Sequence, residues 1–384
     1  MKVPPQGVTS PPRQTTRRGG EVEVSVKIRA IHQSVNCKRY PIRLTDRLTR
    51  NTAIQPEILM DIDRRMFLLG GSATGLSLTL NLPAFAKSGP VTAQISGAQH
   101  FNVGDITVSA LSDGWIDMDP ALFPTANKDE LQAALKRAFM GADGKFRGAL
   151  NAYVARVGDR TVLIDSGAGS VMGPTAGMLP SQLAAAGIAP AEIDVLALTH
   201  LHPDHVGGLV GADGKPVFPN ATMLVHDAEI VFWRDDAIRG QAPDAVKPFF
   251  DLARKVLDVY KSKTSPFAKD GEVLPGVQAM HLPGHTPGHT GFNLVSGDQN
   301  LLIWGDVVHA PALQFSHPQW SLAFDVDMDK ARATREKLFD QASADRLRVA
   351  GMHLLFPGVG HLAKDGSGYD FVPSQWDYDL ADRK

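Results

Sequence analysis

The strongest constraint on the fold is a group of metal-ligating side chains held within a few consecutive positions. Four of them lie within six residues: His200, His202, Asp204 and His205. They follow Val195-Leu196-Ala197-Leu198, a continuous apolar run that is typical of a strand buried on both faces. On an extended chain His200 and His202 point the same way, and a turn into a helix at Pro203 sends the next two ligands to a neighbouring point. The sequence therefore predicts two adjacent metal positions beside the end of a buried strand.

The donor types narrow the choice of metal. Imidazole and carboxylate groups without a thiolate suit zinc, iron, cobalt or manganese. The single cysteine of the chain, Cys37, lies far upstream of the cluster. One histidine alone is more often a surface or core residue, but four ligand-type residues at this spacing, followed by Gly207-Gly208, predict a metal site. We expect two divalent ions, with Zn²⁺ first and Fe, Co or Mn as alternatives.

Further apolar runs place other candidate ligands at strand ends. Three of these runs predict strands: 222–225, 277–282 and 301–304. Two segments with apolar residues at helical spacing predict helices: 181–186 and 329–343. The second and third runs lead into turns that contain His285 and Asp306. Ligands on loops at the ends of sheet strands are typical of a layered α/β domain, so residues 87–384 are predicted to form one such domain.

The first 86 residues have a different character. Residues 1–59 contain eleven Lys or Arg against four Asp or Glu residues, are rich in Pro and Thr, and are expected not to fold. Residues 60–86 resemble a twin-arginine export signal, because Arg64-Arg65 precedes an apolar stretch and the small residues of Ala84-Phe85-Ala86 follow it. The apolar stretch of about 17 residues contains several glycines and is too short and polar for a membrane anchor.

Export and composition together limit the expected partners. Recognition by the twin-arginine machinery implies a periplasmic or secreted protein with no stable membrane span. Met60 then begins the signal, and residues 1–59 are expected to be an over-extended gene start. The formal net charge of −2, from 39 basic and 41 acidic residues, gives no electrostatic reason to expect nucleic acid as a partner.

The His-x-His-x-Asp-His pattern resembles the hallmark of the metallo-β-lactamase superfamily, whose fold is an αββα sandwich. Three further segments are similar to motifs of that family in the same chain order. They are the early Asp-x-Gly turn at 165–167, the third-histidine motif at 282–290 and the bridging aspartate at 303–306. The resemblance implies the α/β (α+β) fold class, with the αββα arrangement, over most of residues 95–371.

Other segments are similar to one branch of the superfamily, methyl parathion hydrolase and its lactonase and arylesterase relatives. These segments are 306–309, 314–315, 324–325 and 353–361. The resemblance implies that one metal takes His200, His202 and His285, that the other takes Asp204, His205 and His353, and that Asp306 bridges them. It also implies that Asp165 orients a ligand, and that His289 and His361 lie outside the ligand set.

The same resemblance implies a reaction. A metal-bridging hydroxide, formed at neutral pH, attacks the phosphorus or carbonyl carbon of a neutral ester: an organophosphate triester, a lactone or an aryl ester. Asp306 and Asp204 serve as catalytic ligands, and His309 either assists the leaving group or forms part of the pocket wall. The chain has no Cys at the bridging position and carries His202 where diiron relatives carry Glu, so neither β-lactam hydrolysis nor redox chemistry is expected.

Aromatic side chains are the candidates for the substrate pocket, in segments similar to the aromatic wall of methyl parathion hydrolase: Trp233, Phe249, Phe250 and Phe315. Core packing is the alternative role for Phe249 and Phe250. Two other functions stay open, a glyoxalase-II-like thioesterase and a periplasmic metal-binding protein without turnover. A thioesterase for charged glutathione conjugates needs a basic patch, and no cluster of Lys or Arg adjoins the motifs. The related enzymes are commonly dimers, so a homodimer is an expectation that the resemblance carries.

Overall fold

The computed structural model describes residues 94–140, 145–376 and 380. The basic leader at 1–59, with Cys37, and the export signal at 60–86 lie outside the described residues, so their interpretations stay predictions.

Two seven-stranded sheets form the centre of the described fold. The first has the strand order β1 to β7: β1 Ala98–Val103, β2 Ile106–Met118, β3 Phe146–Val157, β4 Arg160–Ile164, β5 Val195–Ala197, β6 Thr222–His226 and β7 Thr264–Phe267. The second has the order β14 to β8: β8 Gly271–Leu274, β9 Val277–His281, β10 Thr290–Ser296, β11 Gln299–Ile303, β12 Val349–Ala350, β13 Val359–Asp365 and β14 Gly368–Pro373. The pairing is antiparallel except from β4 to β7 and between β11 and β12, where it is parallel.

Eight α-helices accompany the sheets in the described part of the chain. They are α1 Lys128–Arg137, α2 Leu179–Ala185, α3 Pro203–Val206, α4 Asp227–Arg234, α5 Asp236–Gln241, α6 Lys247–Val259, α7 Pro311–Gln314 and α8 Met328–Ala344. Side-chain caps define several starts: Asn127 accepts from the first turn of α1, and Asp327 accepts from Lys330 N–H in the first turn of α8. Among the described residues, none of these helices has the length and apolar character that a membrane crossing needs.

Three apolar layers hold the sandwich together. Between the sheets lie residues such as Val108, Ile164 and Phe292, all fully buried. Residues of α2, α4 and α6 pack on the outer face of the first sheet, and residues of α8 pack on the outer face of the second. The order is helix, sheet, sheet, helix, which confirms the predicted αββα sandwich of mixed α/β class.

Strand β5 shows how the sequence pattern produces this layering. Leu196 packs into the layer beneath the helices, whereas Val195 and Ala197 pack between the sheets. Alternate side chains of a strand point to opposite faces, so a strand covered on both faces must be apolar throughout. The predicted strands at 222–225, 277–282 and 301–304 correspond to β6, β9 and β11, and the predicted helices correspond to α2 and α8.

Candidate metal centre

The candidate ligands come from loops that follow strands of both sheets. His200 and His202 follow β5 of the first sheet, and α3 then carries Asp204 and His205. From the second sheet come His285 in the loop between β9 and β10, Asp306 in a 3-10 turn after β11, and His353 after β12. The seven side chains meet at one end of the sandwich, on the side where β5 and β11 end.

The first group comprises His200, His202, His285 and Asp306, all buried. His202 Nδ1 lies 3.0 Å from His200 Nε2 and 2.9 Å from His285 Nε2. Asp306 Oδ2 lies 3.3 Å from His285 Nε2 and 3.7 Å from His200 Nε2. Three imidazole nitrogens and one carboxylate oxygen therefore converge on one point.

The second group shares Asp306 and adds Asp204, His205 and His353. Asp306 Oδ2 lies 3.2 Å from His205 Nε2 and 3.1 Å from His353 Nε2. Asp204 Oδ2 lies 3.5 Å from the same nitrogen of each histidine. The structure thus brings together all seven predicted ligands in the predicted division, with Asp306 between the two groups.

Outer hydrogen bonds fix which nitrogen of each ring faces inward. The Nδ1–H of His205 donates to Asp165 Oδ2 at 2.7 Å, that of His285 to Asp325 Oδ1 at 2.9 Å, and that of His353 to Ala149 O at 2.9 Å. His200 Nδ1 lies 3.0 Å from the hydroxyl of Thr199, which itself donates to Asp165. Each of these four rings therefore turns its Nε2 toward the cluster, the orientation that metal-ligating histidines have.

Two buried atoms support occupancy by metal. His205 Nε2 and Asp306 Oδ1 are inaccessible to water and have no hydrogen-bond partner among the described residues. Buried polar atoms are costly when unpaired, so atoms of this kind at the centre of a ligand cluster fit a cation. The close approach of the inward nitrogens of His200, His202 and His285 fits the same cation. The donor set suits divalent metals that accept nitrogen and oxygen ligands.

The protonation of the metal-free cluster follows from its charges. Burial and the neighbouring histidines hold the pKa values of His200 and His202 well below the usual range. Burial also lowers the pKa of His285, but Asp306 and Asp325 outweigh it and raise the value to about 9. Burial acts to raise the pKa of Asp306, yet the surrounding histidines hold that carboxyl well below its usual range. The cluster thus mixes neutral imidazoles, protonated imidazoles and carboxylates.

The seven candidate ligands lie in a segment that matches a known protein family. The sequence profile of the metallo-β-lactamase superfamily matches residues 147–353, which span more than half of the chain and include all seven candidate ligands. The chain belongs to the metallo-β-lactamase superfamily. Like the hydrolases of that superfamily, it is a metal-dependent hydrolase, and its two His/Asp groups form a dinuclear site for divalent metals.

Two solved structures resemble the chain over nearly their whole length. The hydrolase AbOPH, described as a member of the beta lactamase superfamily, is 32% identical with a TM-score of 0.70, and the match covers 74% of this chain and 100% of AbOPH. AidC, a dizinc quorum-quenching lactonase solved with the product N-hexanoyl-L-homoserine, is 28% identical with a TM-score of 0.69, over 73% of this chain and 99% of AidC.

Curated relatives match over shorter stretches. The anti-Pycsar protein Apyc1 of Paenibacillus is 29% identical over 47% of this chain and 70% of its own length. An N-acyl homoserine lactonase of Bacillus is 31% identical over 27% of this chain and 33% of its own length. The hydroxyacylglutathione hydrolase GloC of Haemophilus influenzae is 28% identical over 30% of this chain and 50% of its own length.

The dinuclear centre of this superfamily member opens into a cavity of about 330 Å³. Its apolar lining consists of Ile116, Met118, Leu122, Met172, Phe249, Leu322 and Phe324. None of the described residues that line it is Lys or Arg, and its charged groups outside the histidines are Asp117, Asp204 and Asp306. The cavity is therefore suited to a neutral molecule with an apolar part.

Of the four aromatic residues predicted to line the pocket, one is among the described residues that line the cavity. Phe249 lines the cavity, with its ring 6.4 Å from that of Phe324. Phe250 does not, because it is 1% exposed and packs against Trp233 beneath α4 and α6. Trp233 is also buried and stands edge-on behind His202, with ring centroids 5.5 Å apart. For Trp233 the prediction of a substrate contact was wrong, since it faces the helical core, and Phe250 takes the alternative role of core packing.

Phe315 requires the same correction. Its ring stacks on Phe371 and packs against Trp304 and Phe339 in the layer beneath α8, and it is absent from the described lining of the cavity. The last turn of α7 points this side chain toward the second sheet rather than toward the metals. Sequence similarity to an aromatic wall could not distinguish these two directions.

The other predicted site residues lie near the metal positions. His309 lines the cavity, and its Nε2–H donates to Asp306 Oδ2 at 3.0 Å. His289 accepts the Asp306 N–H on Nε2 at 2.9 Å, so it supports the bridging aspartate from behind. His361 is exposed on β13, away from the cluster.

Two supporting carboxylates were missed by sequence reasoning. Asp325 holds His285 and also accepts Leu322 N–H, although the sequence marked it only as part of a similar segment. Glu229 is buried beside the cluster with no local motif to identify it. Both lie far from the ligands in sequence, so only the tertiary fold brings them there.

Proposed function

We propose that this protein hydrolyses neutral esters, lactones first, at a dinuclear zinc centre. The proposal rests on one observation: the seven-ligand cluster opens into a largely apolar cavity. No Lys or Arg is among the described residues that line this cavity. A pocket of this kind favours an uncharged substrate with an acyl or aryl group. AidC and the Bacillus relative are lactonases, which supports the choice of lactones among neutral esters. Aryl esters and organophosphate triesters share the same neutral chemistry.

The residues of the site have separate roles in the proposed reaction. His200, His202 and His285 would hold one metal, Asp204, His205 and His353 the other, and Asp306 both. When bound, two divalent ions would supply a water of lowered pKa as the nucleophile and would polarise the oxygen of the substrate. Asp165, Asp325 and Thr199 keep the ligand rings oriented, and the apolar wall holds the acyl group and excludes water from it.

His309 has a narrower role in this proposal than leaving-group assistance. Burial lowers its pKa to about 4, against the opposing charge of Asp306, so the ring is neutral at pH 7. Its Nε2–H points at Asp306, and its Nδ1 is buried without a hydrogen-bond partner among the described residues. The ring therefore holds Asp306 and forms one side of the cavity.

A substrate panel tests the proposal. Metal-replete protein is assayed with N-acyl homoserine lactones of several chain lengths, p-nitrophenyl acetate, paraoxon and a glutathione thioester, and kcat/KM is compared. We expect turnover of the neutral substrates, highest for a lactone, and loss of all of it in His200→Ala. Preference for the glutathione thioester would instead support the thioesterase alternative, which the match to GloC favours and the acidic cavity opposes. Two bound metals without turnover of any substrate would support a metal-binding protein.

We also propose that the protein is exported and forms a homodimer. The twin-arginine pattern at 60–86 supports export to the periplasm or medium. N-terminal sequencing of the native protein is expected to start after Ala86, and a start before Met60 would contradict this. The expected homodimer is tested by light scattering on the exported form.

A further inference from the structure

Glu229 is a buried carboxylate to which the catalytic proposal gives no role. It lies in the first turn of α4 and is 0% exposed. Its Oε1 accepts the N–H of Gly288 at 2.8 Å. Its Oε2 accepts the N–H of Leu201 at 3.1 Å and the indole N–H of Trp233 at 2.8 Å. Three neutral N–H groups thus compensate a charge that would otherwise be costly to bury.

The two backbone donors belong to the two loops of the three-histidine group, which comprises His200, His202 and His285. Leu201 lies between His200 and His202, after β5 of the first sheet. Gly288 lies three residues beyond His285, in the loop between β9 and β10 of the second sheet. One carboxylate therefore connects the loops of both sheets at the point where His202 Nδ1 and His285 Nε2 approach to 2.9 Å.

The packing around Glu229 leaves little room for this connection to vary. A Cβ atom on Gly288 would lie 2.9 Å from Glu229 Cγ and 3.1 Å from its Oε1, so the loop approaches closely only because that residue is glycine. On the other side Trp233 lies between Glu229 and His202, with its ring edge-on to the imidazole. The carboxylate, the indole and the loop backbone form one packed unit against a single ligand ring.

We propose that Glu229 is a positioning residue that sets the geometry of the three-histidine group without touching metal or substrate. By fixing the separation of the two loops, it keeps His202 and His285 at the spacing that one metal needs. It has no contact with Asp204, His205 or His353 in the hydrogen bonds that the structure describes. Its effect is therefore specific to one of the two metal positions.

Cobalt binding to the full chain provides the test. In Glu229→Gln the amide NH₂ must face either Gly288 N–H or the pair from Leu201 and Trp233, so one side of the connection is lost. We expect about a 10- to 100-fold loss of Co²⁺ affinity at the three-histidine group, an altered visible absorption of that ion, and no change at the other group. His285→Ala and His353→Ala provide reference spectra that assign each band to its group.

Two controls separate positioning from general stability. Asp113 is an equally buried carboxylate that accepts N–H groups of Ala168, Gly177 and Leu179, in a loop without metal ligands. Asp113→Asn is expected to lower stability and to leave both cobalt affinities unchanged. Trp233→Phe keeps the ring beside His202 and removes one donor, so a smaller loss is expected at the three-histidine group alone.

Several outcomes would overturn the proposal. One is wild-type affinity and absorption at the three-histidine group in Glu229→Gln. Another is an equal loss of Co²⁺ affinity at both groups in Glu229→Gln. A selective loss of affinity at the three-histidine group in Asp113→Asn would also overturn it. If Glu229→Gln does not fold, wild-type binding by Trp233→Phe at the three-histidine group overturns it instead.

Discussion

The charges around three ligand histidines favour their protonated forms before metal binds. The carboxylates around them outweigh the effect of burial, raising the pKa of His285 to about 9 and raising those of His205 and His353 as well. Metal needs the neutral rings, so uptake must release protons and affinity must rise with pH, by about tenfold per unit for each proton released. Calorimetric titration with Zn²⁺ at pH 7, in buffers of different ionisation enthalpy, is expected to show release of at least one proton. Zero net release would contradict the assignment.

His289 is a buried histidine whose pKa is shifted in the opposite direction, below the usual range. Burial and the charge of His285 lower its pKa to about 3, against the opposing effects of Asp306 and of the hydrogen bond from Nδ1–H to Leu282 O. Its Nε2 accepts Asp306 N–H, so the neutral ring is the form that the fold holds. Between the unfolded pKa of about 6.5 and this value, the unfolded chain binds a proton that the folded chain does not. Stability therefore falls as the pH drops through this window.

Replacing His289 isolates this contribution. His289→Gln can keep both hydrogen bonds and cannot take up the proton, so its free energy of unfolding is expected to depend less on pH. The slope should be lower by up to about 1.4 kcal/mol per pH unit between pH 6 and 4. Urea unfolding of metal-free wild type and variant across that range measures it. Parallel curves for the two proteins would show that the ring titrates normally.

At the scale of elements, helix α8 holds the loop that carries the bridging aspartate. Arg335 of α8 is 1% exposed and donates to the carbonyls of Pro318, Val307 and Trp320 at 2.7, 3.2 and 2.8 Å. Arg335→Lys cannot reach all three, so we expect a loss of about 2–4 kcal/mol in unfolding free energy and lower metal affinity. Arg332→Lys on the exposed side of the same helix is the control. Equal stability of the two variants in urea would contradict this role.

Individual strands and helices show which parts of the site the sequence predicts and which parts it does not. Six ligands were predictable because they follow strands whose apolar runs identify them, as with His200 after β5 and Asp306 after β11. His353 follows the two-residue strand β12, and only the family resemblance indicated it. The cavity wall was not predictable, since Ile116 of β2 and Met172 reach it from segments without any chemical motif. Phe249 and Phe250 are consecutive on α6, and the turn of the helix alone sends one to the cavity and the other to the core.

At the scale of the whole molecule, the metal centre joins the two halves of the sandwich. Four ligands follow β5 of the first sheet and three follow strands of the second sheet, while Asp306 contacts ligands of both groups. The periodicity of apolar residues in the sequence does not predict this arrangement. The arrangement follows from the tertiary fold, which brings the loops after β5, β9, β11 and β12 to the same side of the sandwich.

Metal removal is therefore expected to weaken the entire two-sheet unit rather than one loop. A ligand that binds only the folded state at about 1,000 times its dissociation constant stabilises by about 4 kcal/mol, which corresponds to roughly 10 °C in melting temperature for a domain of this size. Calorimetric scans of residues 87–384 with and without a chelator should show one transition in each case, displaced by about this amount. His200→Ala combined with His353→Ala should melt at one temperature regardless of chelator. A chelated protein that melts in two separate steps would show that the sheets hold together independently of the metals.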